Sequence, residues 1–216
     1  MGTIDCTSCY LDQHSASMTP TLEDGRRLIL ASTSPFRCEL LRRLCLPFEI
    51  QAPDIDEMPL ANEQAQPLVG RLAAAKACAI ACKNTKSLVI GSDQVAVLDG
   101  KILGKPGHHE QASEQLLQAS GRRVAFYTGI ALIDSDSRRS QVAVVTFHVH
   151  FRELSSRQIE SYLQREQPYQ CAGSFKAEGL GIALFDRLEG DDPSSLIGLP
   201  LIRLTRMLEI EGVAVL

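Results

Sequence analysis

An aspartate stands inside an apolar stretch, Ser87-Leu-Val-Ile-Gly-Ser-Asp-Gln-Val-Ala-Val-Leu98. A carboxylate buried there without a partner is costly, so Asp93 needs a cation, a metal or hydrogen bonds. Held in that way, it can carry Mg2+ or take a proton from water. A structural aspartate bonded to a nearby loop is the competing reading; the apolar flanks favour chemistry.

Three further groups fit an anionic ligand. In Ala31-Ser-Thr-Ser-Pro-Phe-Arg37 an apolar strand runs straight into a helix start. Free backbone N–H groups and the helix dipole favour an anion there. Ser32 and Ser34 add hydroxyls, and Arg37 adds a planar fork for phosphate oxygens. Taken alone, an ordinary N-cap beside a surface arginine fits this segment equally well. Lys76 falls on an apolar helical stripe, where it must snorkel or meet an anion. Lys105 lies in a Gly-Lys-Pro turn. Either lysine by itself reads as a surface residue, but both together with Arg37 and a helix terminus suit a triphosphate. In Cys171-Ala-Gly-Ser-Phe-Lys-Ala-Glu-Gly-Leu-Gly181 glycines bracket Lys176 and Glu178, which allows close backbone approach; alone, this reads as a mobile surface loop.

Other residue sets carry less. His108 and His109 diverge at a helix start, and His148 and His150 share a strand face without a third ligand, so all four read as solvated or structural. Glu189-Gly-Asp-Asp-Pro193 reads as a solvated turn. Cys6-x-x-Cys9 has zinc-like spacing but no second pair at zinc-site distance. Cys45, Cys78 and Cys82 sit in apolar patterns and read as small buried hydrophobes.

The elements that must position these residues follow from periodicity. Leu28–Ala31 reads as a buried strand, followed by a helix capped by Ser34 with Pro35 at its first position. Phe48–Ala52 looks extended and leads into the polar loop Pro53–Glu57. Pro67–Cys82 has a helical pattern. Leu88–Leu98 reads as a strand, with Asp99-Gly100 turning the chain back into Lys101–Leu103. Glu110–Ala119 is helical, Arg123–Ile133 and Val142–Arg152 alternate as adjacent antiparallel strands, and Ser155–Arg165 is an amphipathic helix. Leu180–Phe185 reads as a short strand, and Ser195–Leu208 as a final helix interrupted by Gly198 and Pro200. Mixed strands and helices with hairpins imply an α/β fold with a mixed sheet.

The whole chain bounds the function. Its 216 residues, 44% hydrophobic, can bury the core of one domain or of two lobes. A formal charge of −4 offers no basic excess for a polynucleotide backbone. No apolar run reaches the length of a membrane span. Seven cysteines, an odd number, give no disulfide framework and fit a reducing compartment. Residues 1–26 are polar, lack a basic start and an apolar middle, and read as a disordered extension rather than a secretory signal; Met18 is an alternative start. Residues 27–216 then form the domain.

Taken in order, these motifs resemble the Maf (septum-formation-like) nucleotide pyrophosphatases, from about Leu28 to Leu208. The resemblance rests on Leu28 to Arg37, Asp-Ile-Asp-Glu57, Lys76, Gly-Ser-Asp-Gln-Val95, Leu-Asp-Gly-Lys-Ile-Leu-Gly-Lys-Pro106, Phe-Tyr-Thr-Gly129, Ala-Gly-Ser-Phe-Lys-Ala-Glu-Gly179 and Leu-Ile-Gly-Leu-Pro200. It implies a bent mixed sheet with two lobes and a cleft, of inosine-triphosphatase-like form and often in a homodimer. It implies hydrolysis of a nucleoside triphosphate to a monophosphate and pyrophosphate with a divalent metal, Mg2+ first and Mn2+ or Co2+ as other candidates. The family's catalytic or metal-holding carboxylate falls on Asp93, a further acidic residue on Glu57, and the phosphate-neutralising cations on Arg37, Lys76 and Lys105.

Three positions separate the branches. Phe36, Gln94 and Glu178 stand where the UTP and dTTP branch has arginine, threonine and glutamine, and they resemble the YceF-type 7-methyl-GTP branch. An aromatic face and a carboxylate suit the cationic N7-methylguanine ring. One departure is Cys38, where the family usually carries another arginine. The implied protein is a cytoplasmic enzyme of nucleotide metabolism with no nucleic-acid polymer or membrane partner; a UTP or dTTP pyrophosphatase and a nucleotide-sensing regulator of cell division are the alternatives.

Overall fold

The computed structural model describes residues 21–216. The expected extension therefore lies outside the described residues up to residue 20, together with Cys6, Cys9 and Met18. Its last residues, 21–26, belong to the ordered body, a correction to the expected boundary. Leu22 is buried in the core, and Arg26 donates to Asp134 Oδ2 at 3.1 Å and forms a further bond to the Glu211 carbonyl.

Twelve regular elements run through the described residues. They are β1 (Arg27–Ala31), α1 (Pro35–Arg42), β2 (Glu49–Gln51), α2 (Ala65–Ala81), β3 (Ser87–Leu98), β4 (Lys101–Leu103), α3 (His109–Ala119), β5 (Arg123–Asp134), β6 (Ser140–Phe151), α4 (Ser156–Glu166), β7 (Phe185–Glu189) and α5 (Leu201–Ile210). The strands form one seven-stranded mixed sheet in the order β2-β1-β3-β5-β6-β7, with β4 added to β3. β1 is parallel to β2 and β3, and the remaining pairs are antiparallel.

The period-2 pattern of the central strands sorts side chains onto two faces. Leu28, Leu30, Leu88 and Ile90 pack with Leu40 and Leu41 of α1 and with Leu204, Met207 and Leu208 of α5. Ile29, Ala31, Val89 and Ala131 pack under Ala73, Ala77 and Ile80 of α2. The far halves of β3, β5 and β6 enter a separate core, with Phe126, Phe147, Phe151 and Phe175 against Leu116 of α3 and Ile159 of α4. Two clusters on opposite faces of one end of the sheet and a third at the other end, joined by the twelve-residue strands β3, β5 and β6, make the expected two lobes.

Local chemistry fixes the turns. Asp99 and Gly100 both have positive φ, 49° and 79°, as a two-residue hairpin requires. Ser155 and Gln158 form a reciprocal capping box on α4. Two expectations fail. Leu180–Leu184 is a tight 3-10 turn, and the strand starts only at Phe185. Four apolar residues around one glycine cannot distinguish a short strand from a packed turn, and here the Leu180 N–H is taken by Glu166 Oε2 at 2.9 Å. The segment 189–193 is not simply solvated. Asp192 is buried; its Oδ1 accepts from Ser194, and its Oδ2 accepts from the N–H groups of Ile202 and Arg203 at the start of α5.

The cysteine expectation is also overturned. Cys45, Cys78 and Cys82 are exposed. Cys45 lies past the end of α1 at φ 53°, and Cys78 and Cys82 fall on the solvent side of α2, whose buried stripe is Leu68, Val69, Leu72, Ala73, Lys76, Ala77 and Ile80. A helix rich in alanine does not announce which face is buried.

Candidate active site

α2 lies unusually close to the sheet because two glycines leave it room. A Cβ on Gly91 would stand 2.1 Å from the Ala73 carbonyl oxygen, and one on Gly129 would stand 2.1 Å from that of Val69. Gly129 is paired across the ladder with Asp93. This close seat brings the buried Lys76 onto the buried Asp93, with Nζ 2.7 Å from Oδ1. Glu57, from the loop before α2, adds Oε1 at 2.9 Å from the same Nζ. Among the described residues no donor reaches Asp93 Oδ2, so that oxygen is left to accept from the cleft.

The turn after β1 builds the opposite wall. Ser34 caps α1, its hydroxyl accepting from the Arg37 N–H at 3.4 Å, while the Ser34 N–H donates to Ser32 Oγ at 3.1 Å. Arg37 Nε donates to the Gly198 carbonyl at 2.9 Å, which fixes the plane of the fork and leaves further N–H groups for a ligand. Burial pulls the Arg37 guanidinium below the ordinary arginine value, and the charges of Asp93 and Glu57 act to raise it. It stays charged at neutral pH.

The remaining walls come from the second lobe. Lys105 is held by its neighbours: Gly104 accepts from Gln115 Nε2 at 3.1 Å, Pro106 is buried, and the Gly107 N–H donates to the Tyr169 carbonyl at 2.9 Å. Lys105 itself has no ion-pair partner among the described residues. The 171–181 segment is packed onto the second lobe: Ser174 and Phe175 are buried, Ser174 Oγ donates to Gln115 Oε1, and the Lys176 N–H donates to Tyr162 Oη at 3.1 Å. Lys176 Nζ is 3.2 Å from Glu166 Oε1. Burial, followed by the charge of Glu178, pushes the Cys171 thiol up to about 11, so it is protonated at neutral pH and is no nucleophile.

These walls enclose a cleft of about 840 Å³. All of the residues singled out in the sequence line it: Ser32, Ser34, Phe36, Arg37, Glu57, Lys76, Asp93, Gln94, Lys105 and Glu178. Gln94 is half-buried and anchored, its Nε2 donating to the Ser195 carbonyl at 2.7 Å and Thr128 Oγ1 at 3.0 Å. Cys38 does not line the cleft; it is buried under α1, so an arginine in its place would not be added to this group of charges without a different side-chain path. His108 and His109 stand outside the cleft, capping α3 and bonding Tyr169 and Glu160. His148 and His150 lie on β6, away from it.

Several residues that the sequence did not single out also shape the site. Ser92 Oγ lies 2.8 Å from the Gly129 carbonyl and 2.9 Å from that of Gly198, tying the 195–198 segment to the sheet. That segment acts through carbonyl oxygens, which every residue has, so composition gives no signal for it. Lys176, marked in the sequence by its bracketing glycines, lines the same cleft.

A divalent cation fits the donor set. Asp93 and Glu57 are hard carboxylates that converge on one ammonium and open onto the cleft. Mg2+ commonly takes one or two carboxylates and fills its shell with substrate phosphate oxygens and water. No group of three His, Cys, Asp or Glu side chains able to hold a metal occurs among the described residues, so a metal here would depend on the substrate's own oxygens.

The "Maf-like protein" family model matches residues 27–211. The chain belongs to the Maf family. It is 60% identical over 189 residues to a 7-methyl-GTP pyrophosphatase of Nitrosococcus oceani, covering 88% of this chain and 95% of that protein. To the 7-methyl-GTP pyrophosphatase of Pseudomonas aeruginosa it is 60% identical, covering 87% and 98%, and to that of Vibrio cholerae 56% identical, covering 88% and 98%. Among solved structures, the Staphylococcus aureus Ham1 protein aligns at TM-score 0.43 and 18% identity, over 59% of this chain and 73% of that one.

Proposed function

We propose that this protein hydrolyses 7-methyl-GTP to 7-methyl-GMP and pyrophosphate, removing a modified nucleotide from the pool. The observation that carries the reading is one cleft lined both by the Asp93–Lys76–Glu57 group with Arg37 and Lys105, and by Phe36, Gln94 and Glu178. Its support from relatives is the shared name of three proteins at 56–60% identity.

The triphosphate lies along the Ser32–Arg37 turn, with Arg37 and Lys105 on its oxygens. Lys76 donates an N–H to Asp93 Oδ1 and stays in ion-pair contact with Glu57, which leaves N–H capacity for phosphate. Asp93 Oδ2 accepts a proton from the attacking water. The P–O bond between the α- and β-phosphoryl groups breaks, and pyrophosphate leaves as the cations take up its charge. Asp93 and Glu57 would hold a divalent ion, which supplies further positive charge to the triphosphate oxygens. Phe36 offers an aromatic face to the cationic base, and Glu178 accepts from guanine N1–H and the N2 amine. The same reading implies a cytoplasmic enzyme able to pair as a homodimer. Among the described residues no helix is long and apolar enough to cross a membrane.

The test is a panel of 7-methyl-GTP, GTP, UTP, dTTP and other modified triphosphates with pyrophosphate detection, run with Mg2+ and with excess chelator. Highest kcat/KM on 7-methyl-GTP, lost on chelation, is expected. Preference for UTP or dTTP would overturn the base assignment, and binding of nucleotide without turnover would favour a sensor.

A further inference from the structure

α2 ends on two thiols that the catalytic reading leaves unused. Cys78 and Cys82 are one turn apart, both are exposed, and their Sγ atoms are 3.8 Å apart. Neither lines the cleft. A third group meets them: Arg138 Nη1 stands 3.2 Å from Cys82 Sγ. Arg138 sits in the turn between β5 and β6 at φ 61°. That turn is pinned, because Asp134 Oδ1 accepts the N–H groups of Asp136 and Ser137, and Asp136 Oδ1 accepts the N–H of Lys86 at the foot of β3. A fixed turn thus presents a guanidinium to one thiol of the pair and not to the other.

We propose that Cys82 and Cys78 form a reactive dithiol, separate from the catalytic cleft, at which a hydroperoxide oxidises the pair to a disulfide within the helix. Cys82 loses its proton to water, the thiolate attacks the peroxide oxygen, the O–O bond breaks, and the departing alkoxide takes a proton back from water and leaves as an alcohol (water, for hydrogen peroxide), giving a sulfenic acid. Cys78 Sγ then attacks Cys82 Sγ, the S–O bond breaks, its proton goes to the departing hydroxide, and water leaves. Two thiols have lost two electrons and the peroxide has gained them.

The asymmetry of the pair has the sense this chemistry requires. The bond from Arg138, then that from Cys78, holds the Cys82 thiol below the ordinary cysteine value. The bond to Cys82, then burial, pushes Cys78 up. Cys82 is therefore the nucleophile, and Cys78 is the protonated partner that resolves its oxidised form. Side chains one turn apart on a helix have Cβ atoms about 5–6 Å apart, wider than the roughly 3.5–4.5 Å of a disulfide. The last turn must open to close the bond. Cys82 is the cap residue, so the main loss is its own N–H bond to the Cys78 carbonyl at 3.0 Å. A disulfide formed under that strain is readily reduced by thiols. Cys45 is an internal comparison: it is exposed too, but its polar contact is the Arg43 carbonyl oxygen at 3.9 Å, not a cation.

The full chain is treated with hydrogen peroxide, alkylated and digested with trypsin. Cleavage after Lys76 and Lys83 leaves both thiols in one peptide, Ala77-Cys-Ala-Ile-Ala-Cys-Lys83. That peptide is expected unalkylated, lighter by a pair of hydrogens, and restored by dithiothreitol, and it forms faster than Cys45 is modified. In Cys78→Ser, oxidation is expected to stop at a Cys82 sulfenic acid that dimedone traps. Arg138→Ala is expected to slow alkylation of Cys82 at neutral pH by roughly three- to tenfold, as the thiolate fraction falls, and Arg138→Lys to retain most of the rate. The proposal is overturned if Cys82 reacts no faster than Cys45, if the lighter peptide does not form, or if Arg138→Ala, with its melting temperature unchanged, leaves the rate unaltered.

Discussion

At the residue scale, Asp93 and Lys76 are two anomalies that resolve each other. A carboxylate on an apolar strand and an ammonium on an apolar helical stripe are each expensive alone; removing one partner of such a buried pair leaves an uncompensated charge at a cost of about 3–5 kcal/mol. Both were legible in the sequence because each breaks a strong pattern. Their pairing was not, because strand and helix residues seventeen positions apart meet only through the close seat of α2. Asp93→Asn preserves shape and removes the proton acceptor. Turnover of 7-methyl-GTP is expected to fall roughly a hundred- to ten-thousand-fold, with the circular dichroism of the folded protein retained and melting lowered by several degrees because Lys76 keeps only Glu57 as a charged partner; full activity in this variant would remove Asp93 from its role. Phe36→Ala is expected to raise KM for 7-methyl-GTP roughly five- to thirtyfold, the size of a cation–π contact of ~1–2 kcal/mol, with kcat nearly unchanged. Equal KM in parent and variant would mean that the ring does not stack on the base.

At the element scale, the site depends on how closely α2 approaches β3 and β5. Gly91 has ordinary backbone angles; what matters is its missing Cβ, which would collide with the Ala73 carbonyl and the Ala77 amide of α2. Gly91→Ala must push the helix outward, a form of overpacking that costs about 1–3 kcal/mol or more. We expect the melting temperature to fall by roughly 3–10 °C and turnover to drop with it, since Lys76 is carried away from Asp93. A variant that melts like the parent would show that the seat is loose. From sequence, Gly91 in a strand pattern signals close approach by something, but not by which element. The strong elements were legible because their periodicity is unambiguous: the capped start of α1, the Asp99-Gly100 hairpin, and the paired strands β5 and β6. The short 180–184 turn and the solvent face of α2 were not, because their apolar content fits more than one geometry.

At the scale of the whole molecule, two lobes share one sheet and the cleft opens between them. The loop carrying Glu57 is held to α2 by a bidentate pair, with Arg71 Nε and Nη2 each 2.7 Å from a Glu63 oxygen. The Arg71 bonds, with the Leu60 N–H, lower Glu63 from its ordinary 4.5 to about 2. A carboxyl whose folded value is depressed stabilises the fold above its unfolded value and loses that contribution as pH falls through the folded one. The pair should therefore act in full above pH 4.5 and fade toward pH 2. Thermal melts across that interval are expected to show a smaller loss in Glu63→Gln than in the parent, and less so at high salt, because Arg71 is partly exposed. Identical pH profiles would mean that the pair contributes nothing. Asp134, lowered against the opposing effect of burial by bonds from Ser137, Arg26 and Asp136, adds a contribution of the same sign at the opposite end of the sheet.

Residue types and spacing alone carry the order of the elements, the capped turn that offers an anion site, and the set of charges assembled for chemistry, because caps, hairpins and misplaced charges are local and break patterns. Asp93 was visible in that way before any neighbour was known. Folding is what brings Lys76 and Glu57 to the same point as Asp93, sets the Gly198 carbonyl against Arg37, and turns Cys78 and Cys82 to solvent beside Arg138. Those relations join segments distant in the chain, through backbone atoms and packing distances that residue type does not encode.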